Sequence, residues 1–178
     1  MTGMDKKTDL EVARSDRPTR VLLVLAPFYR AIADDLLAGA RASLDAAGVT
    51  HETVEVPGAL EVPTAIHLAG RSGEFDGYVA LGCVIRGETT HYETVCNDSS
   101  RGLTLLGLRG FCIGNGILTV ENAAQAKVRA DPNGQNKGGG AAEAALQLVS
   151  IARRFAPRAR ELPAGSIQMA GEILGDQA

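Results

Sequence analysis

The stretch Val21-Leu22-Leu23-Val24-Leu25-Ala26-Pro27 decides the fold. A run this short and uniformly apolar suits a strand covered on both faces, as in a parallel sheet, because a strand with one wet face would alternate polar and apolar residues. After Pro27, the residues Ile32, Leu36, Ala40 and Leu44 recur every four positions as far as Gly48, with Asp34, Asp35, Arg41 and Asp45 elsewhere on the wheel. That spacing predicts an amphipathic helix with a glycine stop. The same unit recurs downstream. His51 to Val56 alternates like a strand, Pro57-Gly58 breaks it, and Val62 to about Arg71 reads as a helix with Ala65, Ile66 and Ala69 on one face. Pro63 falls in its first turn, where a missing N–H costs little. Gly77 to Ile85 predicts a third buried strand, followed by a polar loop from Arg86 to Thr90 and a helix from His91 to about Leu108. Phe111 to Val120 predicts a fourth strand, Glu121 to Ala130 a short helix, Asp131-Pro132-Asn133-Gly134 a break, and Gly140 to Phe155 a last helix. Strand and helix alternating in this way predict an α/β fold, a four-stranded parallel sheet with helices on both faces and right-handed crossovers.

Composition fits one such domain. The chain has 178 residues, 45% of them apolar, and at that length a fold hides roughly 70% of the surface of its unfolded chain, enough for a core without disulfides or metal. A net charge of −3 gives no cationic field for a polyanion, which argues against nucleic acid as a partner. The apolar runs are too short to span a bilayer, and the polar first residues lack the apolar stretch of a signal peptide. Three cysteines, Cys83, Cys96 and Cys112, have no CxxC spacing, so the expectation is buried thiols in a reducing cytoplasm. The expected organisation is a folded domain over residues 20–156, with a flexible polar tail over 1–19 and a mostly irregular tail over 157–178.

Ligands of open α/β sheets bind outside the carboxyl ends of the strands, which directs attention to Pro27-Phe28-Tyr29, to Pro57-Gly58-Ala59-Leu60-Glu61 and to Arg86-Gly87-Glu88-Thr89-Thr90-His91. In the third loop, Thr90 followed three residues later by Glu93 has the spacing of a capping box, which puts a helix start at His91. The free N–H groups and positive dipole end of that helix suit a phosphate. An imidazole at its rim can pass protons to and from a bound carbonyl or amine; the bland alternative is a solvated histidine that tolerates a helix start. His51 and His67 read as structural. Gly114-Asn115-Gly116 lacks the rest of a dinucleotide fingerprint and reads as close backbone approach or a bulge. Arg129 at a helix end and the Arg153-Arg154 pair read as dipole complementation, although a guanidinium can also grip a phosphate in a fork.

These motifs coincide with a family. Val56-Pro57-Gly58-Ala59-Leu60-Glu61-Val62-Pro63, the stretch from Ala80 to Asn97 with its ALGCVIRGETTH core, Gly116-Ile117-Leu118-Thr119 and Asn136-Lys137-Gly138 resemble, in order and spacing, 6,7-dimethyl-8-ribityllumazine synthases over roughly residues 20–155. The resemblance implies a flavodoxin-like three-layer sandwich assembled as pentamers, which stand single, pair as decamers or close into a sixty-subunit shell. It implies condensation of 5-amino-6-(D-ribitylamino)uracil with 3,4-dihydroxy-2-butanone 4-phosphate, at sites between subunits, with no metal and no organic cofactor, and association with riboflavin synthase. By position, His91 matches the proton donor and acceptor, Glu88 and Thr89 the phosphate loop, and Arg129 a phosphate clamp from the neighbouring subunit. Phe28 matches the aromatic stacked on the pyrimidine, and Ala59, Leu60 and Glu61 the segment binding the ribityl chain. Cys83, Val84 and Ile85 match backbone contacts to the ring, and Lys137 a lysine reaching toward the ribityl side. Leu60 and Asn115 stand where well-known members carry Phe. Those two departures favour a rival reading, a non-catalytic flavin-binding or shell-forming paralogue. A second rival is an unrelated flavodoxin-like module that only binds phosphate.

Overall fold

The computed structural model describes residues 17–156, so the expectations for residues 1–16 and 157–178 of the two tails lie outside the described residues. Strands β1 (Arg20–Leu25), β2 (Thr50–Glu55), β3 (Gly77–Ile85) and β4 (Ile113–Val120) form one sheet in the order β2-β1-β3-β4, every pairing parallel. Helices α1 (Arg30–Ala46), α2 (Glu61–Gly70), α3 (His91–Leu108), α4 (Ala123–Ala130) and α5 (Lys137–Arg154) cover it. The apolar run of β1 is buried from Val21 to Leu25 because it has a strand on either side and helices on both faces. Period-two alternation divides its side chains. Val21, Leu23 and Leu25 join Leu36, Ala40, Leu44, Ala142 and Leu146 on the side of α1, α4 and α5, while Leu22 and Val24 join Val62, Ile66, Leu103 and Leu106 on the side of α2 and α3. This is the expected flavodoxin-like sandwich. Among the described residues no helix is long and apolar enough to cross a membrane.

Several boundaries differ from expectation, each for a physical reason. The last helix begins at Lys137, three residues before Gly140, because Asn136 caps it: its backbone is left-handed (φ 46°) and its side chain accepts the Gly139 N–H at 3.0 Å. Of the glycines after it, Gly138 is a packing residue. A Cβ on Gly138 would lie 2.0 Å from the Leu36 carbonyl oxygen, so glycine there lets α5 press against the backbone of α1. Gly114 does the same for β4 and α5, since its Cβ would fall 1.8 Å from Ala141 O. The β3–β4 register runs without a break from Tyr78–Ile113 to Ile85–Val120, so close approach is the right reading of the Gly pair and the bulge is not. Strand β4 starts at Ile113 and α4 at Ala123, where the Asn122 side chain caps the Gln125 N–H. Arg153 is not a solvated helix end: it donates to Asp76 at 3.1 Å and to the Pro18 carbonyl at 3.3 Å, tying α5 to the start of β1. His51 is structural as expected, its Nε2 lying 3.0 Å from Asp45 Oδ1.

Candidate active site

The strands that carry the three singled-out loops are neighbours in the sheet, with β1 between β2 and β3. The chain leaves β1 toward β2 on one side and reaches β3 on the other, so the gap beyond their carboxyl ends is the crevice where such folds bind ligands. Each loop leaves a fixed point, because hydrogen bonds continue past the strand ends: Ala26 N–H to Leu81 O at 2.8 Å, Val56 N–H to Leu25 O at 2.9 Å and Arg86 N–H to Val120 O at 2.9 Å. The crevice is an open pocket of about 420 Å³. Phe28, Ala59, Leu60, Glu61, Cys83, Val84, Ile85, Thr89 and His91 all line it.

Strand lengths explain why backbone is available there. The β1–β3 ladder ends at Leu25–Leu81, whereas the β3–β4 ladder runs on to Ile85–Val120. Past Leu81, β3 therefore has a strand on one side only. Peptide groups alternate sides along a strand, so Cys83 and Ile85 direct theirs, as Leu81 does, toward the vacated β1 side. The pocket wall thus offers a row of peptide donors and acceptors, which suits a flat ring bearing amide-like edges. The Cys83 thiol is buried and burial pushes its pKa up to about 11, so at neutral pH it is an uncharged wall residue with no nucleophile character.

The two sides of the pocket differ in character. Phe28 stands 75% exposed at the mouth, braced edge-on by Tyr29 with centroids 5.1 Å apart. Opposite it, α3 begins directly after the loop Gly87–Thr90. The capping box expected there does not form. Thr90 gives no side-chain cap, and Glu93 pairs with Arg86 instead. What stands at the helix start is Thr89, whose Oγ1 lies 3.4 Å from the His91 N–H, and His91 itself, exposed in the pocket wall. An anion in this position meets a helix N-terminus whose first N–H is engaged only by the long bond to Thr89.

Glu88, Asn115, Arg129 and Lys137 do not line this pocket. Glu88 is exposed in the loop. Asn115 is exposed on the edge strand β4, its side chain accepting the Ile117 N–H at 3.0 Å. Arg129 is half-buried in the last turn of α4 and donates to Gln125 O at 3.1 Å, while Lys137 is exposed at the first position of α5. Tyr92 and Val95 line the pocket although neither was singled out. The signal for Val95 was its helical spacing, one turn after His91 on the same face.

The sequence model of 6,7-dimethyl-8-ribityllumazine synthase matches residues 18–153. A protein of that name from Jannaschia sp. (strain CCS1) is 55% identical over 165 residues, 91% of this chain and 93% of its own length. Another from Sphingopyxis alaskensis is 59% identical over 135 residues, covering 76% and 96%, and one from Azorhizobium caulinodans is 56% identical over 141 residues, covering 76% and 87%. A match that takes in nearly all of the described residues, together with relatives more than half identical, agrees with the pocket built from the three loops: the chain belongs to the 6,7-dimethyl-8-ribityllumazine synthase family.

Proposed function

We propose that the pocket beyond β1, β2 and β3 is where this chain condenses 5-amino-6-(D-ribitylamino)uracil with 3,4-dihydroxy-2-butanone 4-phosphate, giving 6,7-dimethyl-8-ribityllumazine, phosphate and water. Family membership makes the chain a transferase of riboflavin biosynthesis acting on small molecules. The observation that carries the site assignment is the convergence of Phe28, Ala59–Glu61, Cys83–Ile85, Thr89 and His91 on one crevice. Phe28 stacks on the pyrimidine, the free edge of β3 reads its polar rim, and Ala59, Leu60 and Glu61 receive the ribityl chain. Glu88, Thr89 and the start of α3 hold the phosphate. The ring amine attacks the ketone and His91 relays protons through imine formation. Phosphate then leaves, tautomerisation follows, and ring closure expels a second water after the one lost in imine formation. No residue here needs a metal or organic cofactor for these steps.

The working unit we propose is a ring of five. Asn115, Arg129 and Lys137 lie on β4, α4 and α5, away from the crevice of their own chain, and in this reading they complete a neighbour's site, with Arg129 clamping its phosphate. Phe28 at 75% and Leu108 at 82% exposure are large apolar side chains that a neighbour would cover. Residues 20–156 form the catalytic domain of this unit, and it works in the cytoplasm, in keeping with three free cysteines. Light scattering separates single pentamers from decamers and sixty-subunit shells, and co-purification tests association with riboflavin synthase.

Leu60 and Asn115 replace aromatic residues, which is the observation favouring a non-catalytic flavin-binding or shell-forming role. Mixing the purified chain with both substrates decides between the two. Lumazine absorbance rising together with released phosphate is the result expected of the enzyme. Flavin binding without turnover is the result expected of the paralogue.

A further inference from the structure

Arg86 occupies a position that the assigned roles leave unused. It is the first residue past β3, and its own N–H extends the β3–β4 ladder by a bond to Val120 O at 2.9 Å. From that fixed backbone the guanidinium reaches three ways. Nε donates to Glu121 Oε2 at 2.8 Å, at the exit of β4. A terminal nitrogen donates to Glu93 in the first turn of α3, and Cζ lies 4.2 Å from the ring centroid of Tyr92, which lines the pocket beside His91.

The chemistry of this cluster rules out one role and suggests another. One cation faces two carboxylates, so its charge is more than offset in place and it is not a spare ligand for a substrate phosphate. The Arg86 guanidinium holds the Glu93 carboxyl below the usual carboxylate range, keeping the pair charged. A planar fork can serve two carboxylates and a ring face together, which a single ammonium cannot. The pairing also explains the missing capping box: Glu93 stands where it would reach back to the Thr90 N–H, and Arg86 takes it instead. The start of α3 is consequently anchored to the end of the sheet through a side chain. Ion pairs as exposed as this one contribute little to overall stability, so its effect belongs to local geometry.

We propose that Arg86 is a positioning residue for the condensation: bound by Glu93 and Glu121 and lying over Tyr92, it fixes the first turn of α3 and thereby the direction of the His91 imidazole. The inference rests on the reading of His91 given above. It places Arg86 out of contact with substrate, acting through the turn that carries the proton relay.

The test uses the full chain, with kcat and KM for both substrates measured alongside assembly mass and thermal midpoint. Arg86→Met is expected to lower kcat about tenfold while each KM stays within about twofold and the assembly is unchanged. Arg86→Lys should recover only part of the loss, and millimolar guanidinium ion should raise the kcat of Arg86→Ala. Glu93→Gln should lower kcat, and Arg86→Met with Glu93→Gln should be no slower than Arg86→Met alone, because the two residues act as one unit. If Arg86→Met does not assemble, Glu93→Gln and Glu121→Gln carry the test, each expected to slow turnover severalfold at unchanged KM. Unchanged kcat, a loss confined to KM, or additive effects in the double variant would overturn the role. A native chain that makes no lumazine overturns the functional reading and this inference with it. An active native chain with unaffected variants overturns this inference alone.

Discussion

His91 sits where a helix begins, a polar loop ends and a pocket opens, and each fact follows from a neighbour in sequence. Thr89 approaches its N–H, Glu93 is drawn off toward Arg86, and Val95 follows one turn later on the pocket wall. As a proton relay it should matter to rate without being the whole of catalysis, because holding two reactants in register can supply roughly 7–11 kcal/mol of the barrier. His91→Ala should therefore slow lumazine formation about a hundredfold and still leave it well above the rate without protein. A fall to that background rate would contradict this division of labour. Cys83 gives a second prediction at the same scale. Its folded pKa of about 11 lies above the ordinary thiol value of 9.0, so the folded chain holds the proton through the range where an unfolded one loses it. Alkylation of Cys83 should stay slow at pH 9, become fast only toward pH 11, and be fast at pH 9 once the chain is denatured. Rapid labelling of the native chain at pH 9, mapped to Cys83 by mass, would contradict the buried setting.

Glycines in α5 show what an element demands of its neighbours. Gly138 is closed off by the Leu36 carbonyl, whereas a Cβ on Gly140 would meet nothing within 4 Å. Gly138→Ala should cost about 1–3 kcal/mol through overpacking, while Gly140→Ala should stabilise by about 0.5–1 kcal/mol through lost freedom of the unfolded helix. Thermal midpoints moving in opposite directions are the expected outcome, and equal shifts would refute the packing assignment. The same residues show why the boundary of α5 was hard to see. Gly138 and Gly139 fall before the helix start expected at Gly140 because glycine is a poor helix former, and only the approach of α1, a contact distant in sequence, explains Gly138. The Thr90–Glu93 spacing misled for a related reason: a local pattern suggested a cap, and Arg86, fixed at the end of β3 by the sheet, takes Glu93 instead. Strands β1 and β3 were legible because burial on both faces leaves an unbroken apolar run, and the three loops followed from strand ends. Phe28, Ala59, Leu60, Glu61, Thr89 and His91 were accordingly readable as candidates in the chain, whereas Cys83, Val84 and Ile85 read only as buried strand and drew their site role from the family resemblance. Glu88 belongs to a loop that the strand ends singled out yet lies off the pocket, Arg129 was readable only as a helix-end cation able to grip a phosphate, and Asn115 and Lys137 came from the family resemblance alone; no local pattern could place these four relative to the crevice.

At the scale of the whole molecule, the described residues present a pocket with an exposed aromatic at its mouth and leave an arginine and a lysine of the expected site elsewhere on the surface. In the proposed ring the working enzyme is the assembly, each crevice being completed by the chain beside it. That claim has one direct test: dissociate and reassemble His91→Ala and Arg129→Ala chains together in equal amounts, and compare turnover with each variant reassembled alone. If sites are shared between neighbours, about a quarter of those in a randomly mixed ring recover both native residues, and activity rises well above either parent. If His91 and Arg129 of one chain served the same site, no mixed ring would hold an intact one, and turnover equal to the mean of the parents would contradict the account.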